Sequence, residues 1–163
     1  MSLANGIWYF DDFRPGETID LGTVPISEEE IITFARQFDP QPFHVDPEAA
    51  ARSRFGGLIA SGWQTTGLFM RLYARTVLNT TVSLGSPGVD QIRWPNPVRP
   101  GDRLAGRWTV LECRPSRTRP DRGVIRSRGE MFNQNGDPVL SLEALNIIGR
   151  DPASYPGASS IGP

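Results

Sequence analysis

Asp39 and His44 stand close together in the run Phe38-Asp39-Pro40-Gln41-Pro42-Phe43-His44-Val45-Asp46, and His44 is the one histidine of the chain. Each proline fixes its own φ, so the backbone between the two side chains is stiff. That suits a site that must hold a carboxylate and an imidazole at a set distance. An imidazole beside a carboxylate exchanges protons near neutral pH, and an aspartate in apolar surroundings has its pKa raised and can serve as an acid. Together the two groups could handle one water molecule. The same residues also fit a plainer reading, with His44 as a turn or capping histidine and Asp39 as a solvated helix end, because paired titratable groups are often structural. Asp46 is read as a cap, since the Asp46-Pro47 pair already accounts for it.

A second group of residues is Gly56-Gly57-Leu58-Ile59-Ala60-Ser61-Gly62-Trp63. Free N–H groups at a helix start, approached closely past glycine, can bind a carbonyl oxygen that gains negative charge, and Gly62 is the natural donor. Equally, the glycines could serve only to let the helix pack and leave its turn. Ser61 has no second histidine to build a hydrolase triad, and Gly-x-Ser-x-Gly does not occur.

Composition removes several classes of chemistry. The 163 residues contain 17 Arg, no Lys and 18 acidic residues, a net charge of -1. Such a balance argues against a general nucleic-acid or anionic-membrane binder. Without lysine there is no Schiff-base or lysine-nucleophile mechanism. Cys113 is the only cysteine, so an intrachain disulfide is excluded, and one Cys with one His cannot make a structural zinc site. No metal is expected. A cytoplasmic location is expected from cysteine usage and from an N-terminus without a signal-peptide pattern. Arg71 and Arg75 interrupt the most apolar stretch, so no membrane span is expected.

The elements that must position these residues are legible in outline. Ile19, Leu21 and Thr23 alternate as in a first strand. Ser27 and Glu30 form a capping-box pattern with Ile26 and Ile31 as the staple, and Pro40 ends the helix at about Phe38. His44 then falls in a tight connection before a short helix from Pro47 to Ala51. Leu58 to Leu78 reads as a long, nearly enclosed apolar helix. Strands are expected over Thr80 to Trp94, Asp102 to Glu112, Gly123 to Phe132 and Pro138 to Ile148, the last two joined at Asn135-Gly136. A helix inside a run of antiparallel strands is an α+β layout, with the sheet a meander. One domain is expected over residues 1–150, and 151–163, rich in Pro, Gly and Ser, as a flexible tail. A single sheet leaves edges, so self-association is expected, most simply as a two-fold homodimer.

Asp39 to His44 resembles the Asp-x-Asn-Pro-x-His signature of the MaoC-like dehydratases, which include (R)-specific enoyl-CoA hydratases of the hotdog fold. Phe55 to Gly62 is similar to that family's apolar-small-His-Gly helix entrance, and Asn96-Pro97-Val98-Arg99-Pro100-Gly101-Asp102 to its Pro-Val-x-Pro-Gly-Asp turn. The resemblance implies a hotdog, a curved antiparallel sheet wrapped around a long central helix. It implies syn addition of water to a trans-2-enoyl-CoA, with Asp39 and His44 as catalytic residues and the Gly62 N–H polarising the thioester carbonyl. It implies an acyl-CoA substrate, no cofactor beyond the CoA carrier, and a homodimer or higher homo-oligomer. Gln41 stands for the usual Asn, Ser61 for a frequent His, and Met70 for a serine of some hydratases. Gln41, Ser61 and Trp63 are the substrate-side candidates.

Two other functions compete. Hotdog thioesterases cleave acyl-CoA with an acidic residue, usually on the long helix, but Leu58 to Leu78 contains no Asp or Glu. A non-catalytic acyl-CoA-binding or assembly subunit would keep the fold without the reaction, and Gln41 and Ser61 are the departures that favour it. Arginines suit CoA phosphates, though sequence does not rank 17 of them.

Overall fold

Ser27 opens the first helix as its spacing predicts. Its hydroxyl accepts from the Glu30 N–H at 3.1 Å, and the Glu30 carboxylate accepts from the Ser27 N–H at 2.8 Å. In the computed structural model, which describes residues 6–155, this helix (α1) spans Glu28–Phe38. Asp39 then leaves helical geometry at φ -154, ψ 68, as expected of a residue before proline. The tight connection expected to hold His44 is a one-turn helix, Pro42–Val45 (α2). Asp46 caps the next helix, Pro47–Arg52 (α3), by accepting from Glu48 and Ala49.

The long helix (α4) is Gly62–Thr76, so it starts four residues later than Leu58. Residues 58–60 lie outside any helix instead, with the Ala60 N–H donating to the Val98 carbonyl at 2.8 Å. Leu58, Ile59 and Ala60 are all buried, and a continuous apolar run of that kind looks the same in a helix and in a buried extended segment. Nor is α4 enclosed all round. Leu68, Phe69, Leu72 and Tyr73 face the core, whereas Trp63 and Met70 lie on an open stripe, 58% and 45% exposed.

Five antiparallel strands form the sheet: β1 (Thr18–Pro25), β2 (Gly88–Arg93), β3 (Arg103–Pro115), β4 (Arg122–Phe132) and β5 (Pro138–Gly149), in the order β1-β3-β4-β5-β2. Only β3, β4 and β5 make the expected meander; β1 is added to one edge and β2 to the other. The strand expected over Thr80 to Trp94 shrinks to β2, because a 3-10 turn takes Leu78–Thr80 and Gly85, at φ 96, breaks the extended run. Register shifts in all four strand pairings bend the sheet, as bulges do. It closes over α4, and a Cβ on Gly129 of β4 would lie 2.2 Å from the Phe69 ring, so glycine lets the helix approach that strand. This is the α+β hotdog architecture. The outer face is charged instead, with Arg126 and Arg128 both paired to Glu143 at 2.8 and 2.7 Å.

The expected flexible tail begins with held residues. The Ser154 hydroxyl and the Arg150 guanidinium both bond the Asp11 carboxylate. The remainder, 156–163, lies outside the described residues.

Candidate active site

The end of α1, the turn of α2 and the start of α4 meet at one cavity of about 570 Å³. What holds them there is the turn that leads into β3. The Val98 carbonyl receives Ala60, the Gly101 N–H and the Asp102 carbonyl bond Ile26, and the Asp102 carboxylate accepts from Arg99 N–H and Gln134 Nε2. The Asn96 to Asp102 segment is thus a strap that fixes the buried residues leading into α4 behind the site.

His44 is buried, and its Nδ1 lies 2.7 Å from the Ile59 carbonyl oxygen. A carbonyl only accepts, so in the neutral ring the proton sits on Nδ1 and Nε2 carries the lone pair. Nε2 is 3.4 Å from Asp39 Oδ2, longer than a direct N–H···O bond. The pair therefore presents two acceptors side by side, an arrangement able to receive both hydrogens of one water and leave its oxygen lone pairs directed outward. Asp39 is itself held from two sides. Oδ1 accepts from Gln41 Nε2 at 2.8 Å, and Oδ2 accepts from the Ser61 hydroxyl at 2.7 Å.

The acidity of Asp39 runs opposite to the expectation of a raised pKa. Partial burial pushes it up, but the hydrogen bonds from Gln41 and Ser61, with a smaller contribution from His44 when its ring is protonated, outweigh this and leave it below the ordinary carboxylate value. The carboxyl is ionised at neutral pH, so its resting form is a base.

At the start of α4, the Ser61 hydroxyl caps the helix through the Trp63 N–H at 3.2 Å, while the Gly62 N–H has no acceptor among the described residues. The Trp94 indole covers Gly62 so closely that a Cβ there would stand 2.4 Å from the ring. Trp94 is pinned in turn by its Nε1–H donating to Thr66 Oγ1 at 3.1 Å and by an edge contact with Trp63.

Asp39, Gln41, His44, Gly62 and Trp63 all line the cavity. Ser61 does not: it is fully buried behind the carboxylate and acts on Asp39, so the expectation of a substrate-side serine is corrected. Gln41, which shares the wall, likewise bonds Asp39. Arg54 and Trp94 are wall residues that the sequence did not single out. Arg54 is the one arginine on this wall, its guanidinium 4.8 Å above the Phe55 ring. No sequence signal ranks it above the other arginines. Among the described residues no three His, Cys, Asp or Glu side chains converge as metal ligands would, and no helix is long and apolar enough to cross a membrane.

Comparison with known proteins gives a consistent picture. A family model described as MaoC like domain matches residues 12–127. Protein YdeM of Bacillus subtilis is 30% identical over 140 residues, 86% of this chain and 98% of that protein. The 3-hydroxybutyryl-CoA dehydratase of Methylorubrum extorquens is 30% identical over 161 residues, 96% of this chain and 94% of that one. Among solved structures, the MaoC-like dehydratase from Rhodospirillum rubrum has a TM-score of 0.80 at 38% identity, covering 88% of this chain and 98% of that one.

Proposed function

Since the chain belongs to the MaoC-like dehydratase family, we propose that it is a hydro-lyase adding water reversibly across a trans-2-enoyl-CoA to give a 3-hydroxyacyl-CoA. The observation that carries this reading is the pairing of an ionised Asp39 with a His44 whose bare Nε2 faces the same point. One water donates a hydrogen to each, and its oxygen attacks the β-carbon of the enoyl group. As the C–O bond forms, the carbonyl oxygen gains charge, and the Gly62 N–H donates to it. Asp39 takes the water's proton and passes it to the α-carbon, restoring the carboxylate. Both new bonds form on the face presented to the pair, which makes the addition syn. His44 holds the water and its orientation throughout.

The substrate supplies its own CoA, and no further cofactor enters the scheme. Arg54 is the candidate contact for CoA phosphate, because a guanidinium fork matches phosphate oxygens. Exposed Trp63, Met70, Val89 and Trp94 beside the open edge strand β2 favour self-association as a homodimer. The thioesterase reading gains nothing, since α4 carries no carboxylate.

The test is loss of enoyl-thioester absorbance on short and medium trans-2-enoyl-CoA, with free thiol followed in parallel. The expected result is absorbance loss without thiol release; thiol release would make the protein a thioesterase, and binding without turnover an acyl-CoA-binding or assembly subunit.

The acidic limb of the pH profile gives a further expectation. Ser61→Ala removes a donor from the ionised form of Asp39, so its pKa rises and the limb of kcat/KM moves to higher pH. A limb that stays in place or moves to lower pH would separate Ser61 from the chemistry. Losing the cap should also cost about 1 kcal/mol of stability, read as a lower Tm.

A further inference from the structure

Beyond the Trp63–Trp94 pair lies a second cavity, about 470 Å³, between α4 and the inner face of the sheet. Trp63 belongs to the walls of both cavities, and Met70 and Val89 stand at the exposed rim of this one. Its walls are mostly apolar and no charged side chain lines them; besides the hydroxyls of Thr66, Ser83 and Ser86, the sheet and the helix contribute four polar side chains. Ser127 on β4 and Asn146 on β5 are buried and joined, the serine hydroxyl 3.1 Å from Asn146 Oδ1. With Oδ1 so engaged, Asn146 Nδ2 has no acceptor among the described residues. Trp108 on β3 is 2% exposed, and its Nε1–H is one of two buried side-chain polar atoms among the described residues without a hydrogen-bond partner. Tyr73 on α4 stacks on Trp108 with ring centroids 5.4 Å apart, and its hydroxyl too is unbonded within the described chain.

Buried polar groups in a packed core are ordinarily paired. Here the Trp108 N–H is left unpaired behind the wall, while an amide NH₂ and a phenol without a partner in the described chain line a mostly apolar chamber next to the site where an acyl thioester would react. Burial pushes the Tyr73 phenol above its usual pKa, so it stays protonated and able to donate. The free groups are rich in donors and the chamber holds no cation. A neutral oxygen acceptor fits them, whereas a carboxylate would meet no opposite charge.

We propose that this chamber receives the acyl chain and that Asn146 and Tyr73, the latter stacked on Trp108, select chains carrying a neutral oxygen, a ketone or a hydroxyl, at the depth of these groups. The proposal rests on the hydratase reading for the nature of the head group, and names the class of acyl chain that reading leaves open. A plain alkyl chain leaves those donors unbonded, and discrimination by unpaired buried donors is stronger than discrimination by an extra methylene.

The test compares a plain trans-2-enoyl-CoA with equal-length chains in which a ketone is walked outward from the double bond. Hydration kcat/KM is measured for each, and Kd for the corresponding saturated acyl-CoA. One ketone position is expected to exceed the plain chain by about tenfold in both quantities, roughly the worth of one buried hydrogen bond. Tyr73→Phe, which keeps the ring on Trp108, and Asn146→Leu should each bring that ratio back toward one. Because the ratio is taken within each variant, a general loss of activity does not enter it. Equal kcat/KM and Kd at every position, or a preference untouched by both substitutions, would overturn the proposal while leaving hydration intact. Absence of hydration with the binding preference retained would sink the hydratase reading alone.

Discussion

Asp39→Asn is expected to lower the rate of hydration by roughly 10²- to 10⁴-fold, the range that one positioned acid–base group contributes. The amide has nearly the same shape and can still accept from either Gln41 or Ser61, so the turn from α1 into α2 keeps its bonds on one side. What it cannot do is take a proton from water and return it to carbon. Substrate binding should change much less than kcat, since the group lost acts on the water. His44→Ala should fall by a similar factor, and the double variant should be little worse than either, because both side chains hold one water and act as a unit. Steady-state kinetics on the single and double variants checks this; losses that multiply would mean that the two residues act independently. A D39N protein that hydrates at more than a tenth of the wild-type rate would remove the carboxylate from the mechanism.

Gly62→Pro is the second large effect, and it isolates a backbone group. Proline at the first helical position is compatible with α4, and the preceding Ser61, at φ -60, ψ 140, already has the extended geometry that a following proline demands. The substitution therefore removes the Gly62 N–H without breaking the helix. It also adds a Cβ where Trp94 lies 2.4 Å away, which Gly62→Ala does as well while keeping the N–H. The difference between the two variants reports the donor. We expect Gly62→Pro to lose a further 10²- to 10³-fold in kcat relative to Gly62→Ala, the usual cost of one oxyanion donor. Equal activity in the two would mean that the thioester oxygen is bound elsewhere, and that Gly62 is glycine only to make room for Trp94.

The parts of this site that are local in sequence were legible, and those that depend on distant contacts were not. Ser27, Glu30 and Pro40 set both ends of α1 through bonds and steric effects within a few residues, so the position of Asp39 at a helix end followed directly. The start of α4 lies four residues later than periodicity suggests because Leu58 to Ala60 are apolar for burial against the 98–102 strap, which periodicity does not distinguish from a helix. The tautomer of His44 depends on a carbonyl 15 residues along the chain, and the acidity of Asp39 on a hydroxyl 22 residues along. Residue types suggest an aspartate made more acid-like by burial, whereas the hydrogen bonds from Gln41 and Ser61 hold it ionised. Nothing local in the chain ranks Arg54 above the other arginines or sets Trp94 over Gly62, since both placements depend on chain crossings.

The measurement closest to the central claim is the product formed from a short trans-2-enoyl-CoA in deuterium oxide, analysed by NMR and mass spectrometry. A single water held between Asp39 and His44 predicts a hydroxyl on the β-carbon, one deuterium on the α-carbon of the same face, and no free CoA. Free CoA, or a deuterium on the opposite face, would contradict the account.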